Sequence, residues 1–299
     1  MKPFLLVVAI SILNSCSSGK LATDQGIPWE LAEHRSETIS NLRYHFALDV
    51  PVSRTETITG KSRISLSWND NSAQPLVIDF LQAEQRVHGV SVNGASSTWQ
   101  PVNDHIVIPA QSLRPGENTV DLEFDVGDEA LNRREDFMYA LFVPDRAHFS
   151  LPLFDQPNLK GRVTWEVTVP EQWKVIANGP ESTSNTEAGR THYSFLETQP
   201  MPSYLFAVAA GMFERETAVI DGRTFNMYHR ETDAAKVARN SEEVFRLHAA
   251  SVEWLEDYTQ IDYPFQKFDF VLIPSFQYGG MEHPGGILYR QASVLLDET

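Results

Sequence analysis

The sequence predicts a mainly β, saddle-like antiparallel domain followed by the incomplete start of an α/β domain. Three observations carry this. Short runs with period-two alternation recur from residue 41 onward, and turn residues gather between them. After Asp221 the pattern changes to helical spacing and then to a wholly apolar run. At 299 residues the chain has room for about two domains of ordinary size.

Composition narrows the classes of function. With 42% hydrophobic and 21% charged residues, the chain is that of an ordinary globular protein. A formal net charge of -16 argues against nucleic acid as a partner, because phosphates require a basic surface.

At the N-terminus, Lys2, the apolar run 4–13 and Leu13-Asn14-Ser15-Cys16 predict an export signal over residues 1–16, too short to span a bilayer. Cys16 is the single cysteine and stands where bacterial lipoprotein signals place the residue that is cleaved and lipidated. The expectation is an exported protein, lipid-anchored at a bacterial membrane on the periplasmic side or the cell surface. One cysteine allows no internal disulfide, so the core alone must hold the fold. Residues 17–40 are expected to be a polar tether.

Residues 41–215 read as the β domain. Leu42, Tyr44, Phe46, Leu48 and Val50 alternate onto one face, and Ile64, Leu66 and Trp68 repeat the pattern. Further strands are expected at 76–80, 87–92, 105–108, 120–126, 163–169 and 193–196, with Asn93-Gly94 and Pro115-Gly116 among the turns. Residues 216–299 read as part of a second domain. Thr232-Asp233 can cap a helix in which Val237, Val244, Leu247, Val252, Leu255 and Tyr258 keep helical spacing, while Glu242, Glu243, Glu253 and Glu256 turn away. Asp262-Tyr263-Pro264 ends it, and a buried strand over 268–273 runs into the stretch Pro274 to Arg290. There Glu282 directly follows Gly279-Gly280-Met281, and bare glycine backbone beside an acid lets another chain come close.

Tyr278-Gly279-Gly280-Met281-Glu282 resembles the Gly-x-Met-Glu-Asn exopeptidase motif of the aminopeptidase N-like zinc metallopeptidases, closest to the leukotriene hydrolase variant. Phe154-Asp155-Gln156-Pro157-Asn158-Leu159-Lys160 is similar to the family's Phe-Asp-Glu-Pro segment, and Pro200 to Leu205 to the segment leading into Ala209 to Phe213. The resemblance covers roughly residues 41–290, and several ordered motifs weigh more than one. It implies a β saddle, then a thermolysin-like peptidase domain with a zinc site, and removal of N-terminal residues from peptides. It further implies that Glu282 anchors the substrate α-amino group, with Tyr278, Gly279, Gly280 and Met281 beside the substrate.

A zinc peptidase of this kind needs His-Glu-x-x-His on a helix. None of the nine histidines begins such a motif. No catalytic residue and no metal ligand is therefore assigned in this chain. Zinc is expected in the complete enzyme, and the chain reads as an N-terminal fragment of it. His283 stands where the family has asparagine and is expected to be a hydrogen-bonding neighbour rather than a metal ligand. Leu141 and Val143 align where relatives carry Gln or Glu that help hold the amine, leaving Glu282 as the anchor. Asp155, Met201, Pro202, Tyr204 and Tyr289 read as structural. The expected partners are peptide N-termini and, through the lipid anchor, a membrane. A reading from another class is a non-catalytic exported lipoprotein that binds peptides or a partner. Epoxide hydrolase activity, suggested by Tyr278-Gly279-Gly280 alone, is a third.

Overall fold

The computed structural model describes residues 21, 23–70 and 73–298, so Cys16 and the expected export signal lie outside the described residues. The chain does not run free up to residue 40 as the expected tether requires. Trp29–Thr38 forms helix α1, whose buried residues are Leu31, Arg35 and Thr38. Arg35 donates Nη1 to Asp79 Oδ2 at 2.9 Å, and Nη2 to Asp79 Oδ1 at 2.5 Å and to Val77 O at 2.8 Å. Upstream, the Gly26 N–H bonds the Asp104 carboxylate, and the Asn103 amide donates to the Thr23 carbonyl. The reason is physical: a buried charge pair docks this helix, and hydrophobic periodicity carries no trace of it.

The strands follow in chain order. The first eight are β1 (Ile39–Asp49), β2 (Thr59–Trp68), β3 (Leu76–Asp79), β4 (Val87–Val92), β5 (Ala95–Ser96), β6 (Gln100–Val102), β7 (His105–Ile108) and β8 (Gly116–Asp125). Next come β9 (Leu131–Arg133), β10 (Phe137–Ala140), β11 (Arg162–Pro170), β12 (Lys174–Ala177), β13 (Glu181–Glu187), β14 (Arg190–Phe195) and β15 (Val208–Gly211). They form an eight-stranded sheet ordered β13-β14-β11-β1-β2-β8-β4-β5, a four-stranded sheet β12-β15-β10-β9 and a three-stranded sheet β3-β7-β6.

Alternation builds the core. Along β11 every second residue from Val163 to Val169 is buried, as are Leu42 to Leu48 at even positions along β1. These side chains join Ile58, Phe124, Trp165 and Phe206 in one apolar cluster that also takes in the two smaller sheets. The antiparallel expectation fails at one place, since β1 and β11 pair in parallel from Arg43↔Arg162 to Asp49↔Thr168. A parallel neighbour needs a long crossover, and here most of the domain lies between the two strands.

The second unit contains β16 (Glu214–Ile220), β17 (Arg223–His229), α2 (Ala234–Thr259), β18 (Phe268–Ile273), β19 (Gly280–Met281) and β20 (Ile287–Arg290). Its sheet runs β16-β17-β18-β20-β19, so sheet membership changes between Gly211 and Glu214 and the boundary expected at 215/216 falls inside β16. β18 is buried along its whole length and pairs in parallel on both sides, which accounts for its unbroken apolar run. Asp233 caps α2 by accepting from the Ala235 and Lys236 amides. Val237, Val244, Phe245 and Val252 pack on the sheet. Leu247, Leu255 and Tyr258 do not, and Tyr258 is 74% exposed, because the sheet covers one side of the helix. Part of that second stripe lines an apolar groove of about 520 Å³ against Tyr263, Pro264, Ile287 and Tyr289.

A further cluster ties the two units together. Tyr139, Leu141, Ile176, Ala209 and Phe213 meet Tyr228, Val271, Ile273, Phe276, Met281 and Leu288. The stretch Pro274 to Arg290 is built directly over it.

Candidate functional site

After Ile273 the chain leaves β18, and Phe276 turns inward to stack edge-on against Tyr139 at 5.7 Å between centroids. Tyr278 leans edge-on against Phe276 at 6.0 Å and stays 45% exposed. Gly279 and Gly280 are exposed, and β19 then pairs with β20 through Gly280↔Tyr289 and Met281↔Leu288. β19 is the last strand of its sheet, so one side of its backbone faces outward. A Cβ at 280 would stand 3.1 Å from Tyr289 Cδ1, so any larger residue there requires the Tyr289 ring to give by a few tenths of an ångström.

Alternation along this edge decides which side chain points where. Met281 is buried in the cluster beneath, and Glu282 is exposed. Among the described residues, nothing hydrogen-bonds or ion-pairs with the Glu282 carboxylate. Leu141 is buried and Val143 half-buried in the same cluster as Met281 and Phe276, so neither brings charge or hydrogen-bonding capacity. Of the five residues read from the sequence as substrate-binding, Tyr278 and Gly279 lead into the edge strand, Gly280 and Met281 form it and Glu282 follows it; Met281 turns into the core, whereas Tyr278 and Glu282 are exposed.

His283 departs from expectation. It was expected to hydrogen-bond its neighbours, yet its ring is fully buried and neither ring nitrogen has a partner among the described residues. The backbone explains this: the His283 N–H bonds Met281 O, and His283 O accepts from Gly286, a tight turn that drives the ring inward. Burial pushes the imidazole pKa down to about 3. The unfolded ring titrates near 6.5, so from 6.5 down to about 3 the unfolded state binds the extra proton and stability falls as pH falls. Between pH 7.5 and 5 this amounts to roughly 2 kcal/mol. Urea titrations at the two pH values should show a loss smaller by about that amount in His283→Asn than in the parent. Equal losses would remove His283 as the cause.

The following loop is pinned to the β domain by Asn178. Its amide donates to Leu205 O at 2.9 Å and Pro284 O at 3.0 Å, and its Oδ1 accepts from the Ala207 N–H at 2.7 Å. Gly285 sits against it with φ +70, and a Cβ there would lie 2.1 Å from Asn178 O. Gly285→Ala is expected to cost roughly 2 kcal/mol or more, measured as a shift in the urea midpoint. An unchanged midpoint would mean that the loop relaxes freely.

A catalytic zinc requires three ligands around an open position. Among the described residues the one group that converges is Asp145, His148 and Asp155, in the β domain. His148 Nδ1 lies 2.8 Å from Asp155 Oδ2, and Asp155 Oδ1 accepts from Ser203 Oγ at 2.7 Å. Burial disfavours charge on His148, but the Asp155 bond and charge outweigh it and raise the pKa. His148 and Asp155 satisfy each other, while Asp145 is exposed with its carboxylate 3.9 Å from His148 Nδ1, so the set does not fit a catalytic zinc. Asp155 and Ser203 are structural partners here, and Met201 is buried beside Gly161. Tyr289 packs edge-on to His248 at 5.6 Å.

Sequence reasoning missed Asn178, which pins the loop after His283. Asn178 precedes Gly179-Pro180, a turn signal that marks the position but not its distant partners.

Comparison with known proteins gives two family matches. Residues 129–205 match the peptidase M1 N-terminal domain, and residues 244–299 match the peptidase family M1 domain. A leucyl aminopeptidase of Saccharolobus solfataricus is 32% identical over 158 residues, 53% of this chain and 20% of that protein. An aminopeptidase N of Streptomyces lividans is 28% identical over 223 residues, 70% of this chain and 25% of that protein. A glutamyl aminopeptidase of Sus scrofa is 30% identical over 159 residues, 52% of this chain and 16% of that protein. The chain therefore spans no more than about a quarter of the length of these relatives.

Proposed function

We propose that this chain, a member of the M1 peptidase family in both of its domains, supplies the substrate-holding part of a zinc aminopeptidase that removes N-terminal residues from peptides. The observation that carries the reading is the Glu282 carboxylate, exposed and unpaired among the described residues, directly after the outward edge of β19. A peptide laid along that edge gains strand-like hydrogen bonds from glycine backbone, and its terminal ammonium pairs with the carboxylate. A site so built measures from the chain end, because an internal residue carries no ammonium. Met281, Phe276 and Leu141 support the edge from beneath without competing for the amine. The bond-breaking chemistry is no part of what these residues supply.

Fluorescence anisotropy tests this with the full chain, a leucine-glycine-glycine tripeptide carrying a C-terminal fluorophore, and its N-acetyl twin. Tighter binding of the free-amine peptide is the expected result. Equal affinity for the two would overturn the reading. A non-catalytic peptide-binding lipoprotein would use the same edge, and the two are separated by aminoacyl-anilide hydrolysis in a polypeptide that joins this chain to a zinc site.

A further inference from the structure

The segment between β18 and β19 has little to hold it. Pro274 and Ser275 are exposed, Phe276 alone is anchored in the cluster, and Gln277, Tyr278 and Gly279 are exposed again. β19 itself is paired over two residues. Such a strand is presented in one orientation only if something fixes the chain leading into it.

Arg290 does this from the far end of β20. Its Nε donates to Phe276 O at 3.0 Å and its Nη2 to Gln277 O at 3.0 Å. Its backbone N–H donates to Gly279 O at 3.0 Å. One residue thus satisfies three carbonyls within four consecutive positions. It is itself held by the β18–β20 ladder, where it stands opposite Ile273. The planar fork can reach two carbonyls at once, which an ammonium on a flexible stem does not reproduce. No ion pair involves Arg290 among the described residues, so the guanidinium is spent on backbone geometry rather than on a counter-charge.

We propose that Arg290 is a positioning residue for the amine-holding edge, setting the approach into Gly280-Met281 and hence the direction in which Glu282 points. This rests on the reading of Glu282 given above. It adds that recognition of the chain end depends on a cation that does not touch the substrate.

The test uses the full chain and the same pair of tripeptides, free and N-acetylated, with Arg290→Ala and Arg290→Lys. The measured quantity is the ratio of the two affinities, which partial unfolding does not change because both peptides see the same folded fraction. Arg290→Ala is expected to lower the ratio about tenfold, less than the full worth of two charge-assisted hydrogen bonds, because both peptides lose them and only the misdirected carboxylate enters the ratio. Arg290→Lys, which keeps charge and approximate length, is expected to lower it by at least about threefold, since it lacks the fork. If Arg290→Ala does not fold, Arg290→Lys decides. A parental ratio retained in the folded variants overturns the positioning role and leaves the Glu282 reading standing. Absence of any preference in the parent overturns both.

Discussion

Glu282→Gln is expected to weaken binding of the free-amine tripeptide by roughly thirtyfold while leaving its N-acetyl twin unaffected. The figure sits at the low end of what loss of one member of a charge pair produces, because the carboxylate is exposed and water screens it. Glutamine keeps the volume and one acceptor oxygen, so the change isolates charge. The acetylated peptide has no ammonium and provides the internal control. In a polypeptide competent for hydrolysis, the same substitution should depress kcat/KM for an aminoacyl anilide by a comparable factor. An equal loss for both tripeptides would point to damage along the edge rather than to a lost anchor.

The second large effect lies in the β domain, away from the site. Arg35→Ala should lower stability by about 3–5 kcal/mol, because it removes the guanidinium from the buried Asp79 carboxylate and leaves it only the His105 ring and the Asp155 N–H. Both side chains are almost fully buried, and the guanidinium also satisfies Val77 O. Burial pushes the Asp79 carboxyl up, but the Arg35 charge and the His105 and Arg35 hydrogen bonds more than reverse this and leave it at about 2. The sign follows from that lowering. The contribution is fully present above the unfolded carboxyl value near 3.8 and is lost as pH falls through about 2. Guanidinium-chloride unfolding at pH 7 measures the loss. A change within a few tenths of a kcal/mol would mean that α1 is dispensable to the domain.

Much of the fold was legible because its strands announce themselves locally. The alternation in β1, β2 and β11 follows from one face being buried, and the apolar run of β18 from both faces being covered. What escaped was non-local or unpatterned. β13 is Glu-Ser-Thr-Ser-Asn-Thr-Glu with every residue exposed, so it offers no apolar alternation to read. The parallel pairing of β1 with β11 joins strands more than a hundred residues apart, and no local pattern encodes a partner at that distance. α1 escaped because it docks through charge. On α2 the spacing of Leu247, Leu255 and Tyr258 was read correctly as helical, but helical spacing does not say whether anything covers the face.

The site divides in the same way. Glycine, methionine and glutamate at 279–282 form a local motif, so they could be picked out together and are contiguous in space. Arg290 and Asn178 act on backbone carbonyls and amides, which every residue possesses, so nothing in composition marks those carbonyls as theirs. His283 was misread because substitution for an asparagine suggested a similar polar role. The turn at 281–286 buries the ring instead.

The brevity of β19 bears on self-association. A long, flat sheet margin invites a second copy to add its own strand and so to start a fibre. A margin of two residues, broken at once by the inward turn at His283, gives a copy too few ladder bonds to stay. On the proposed reading the same shortness suits a dipeptide-sized stretch at a chain terminus, so β19 can stay an open edge in water without becoming a template for polymerisation.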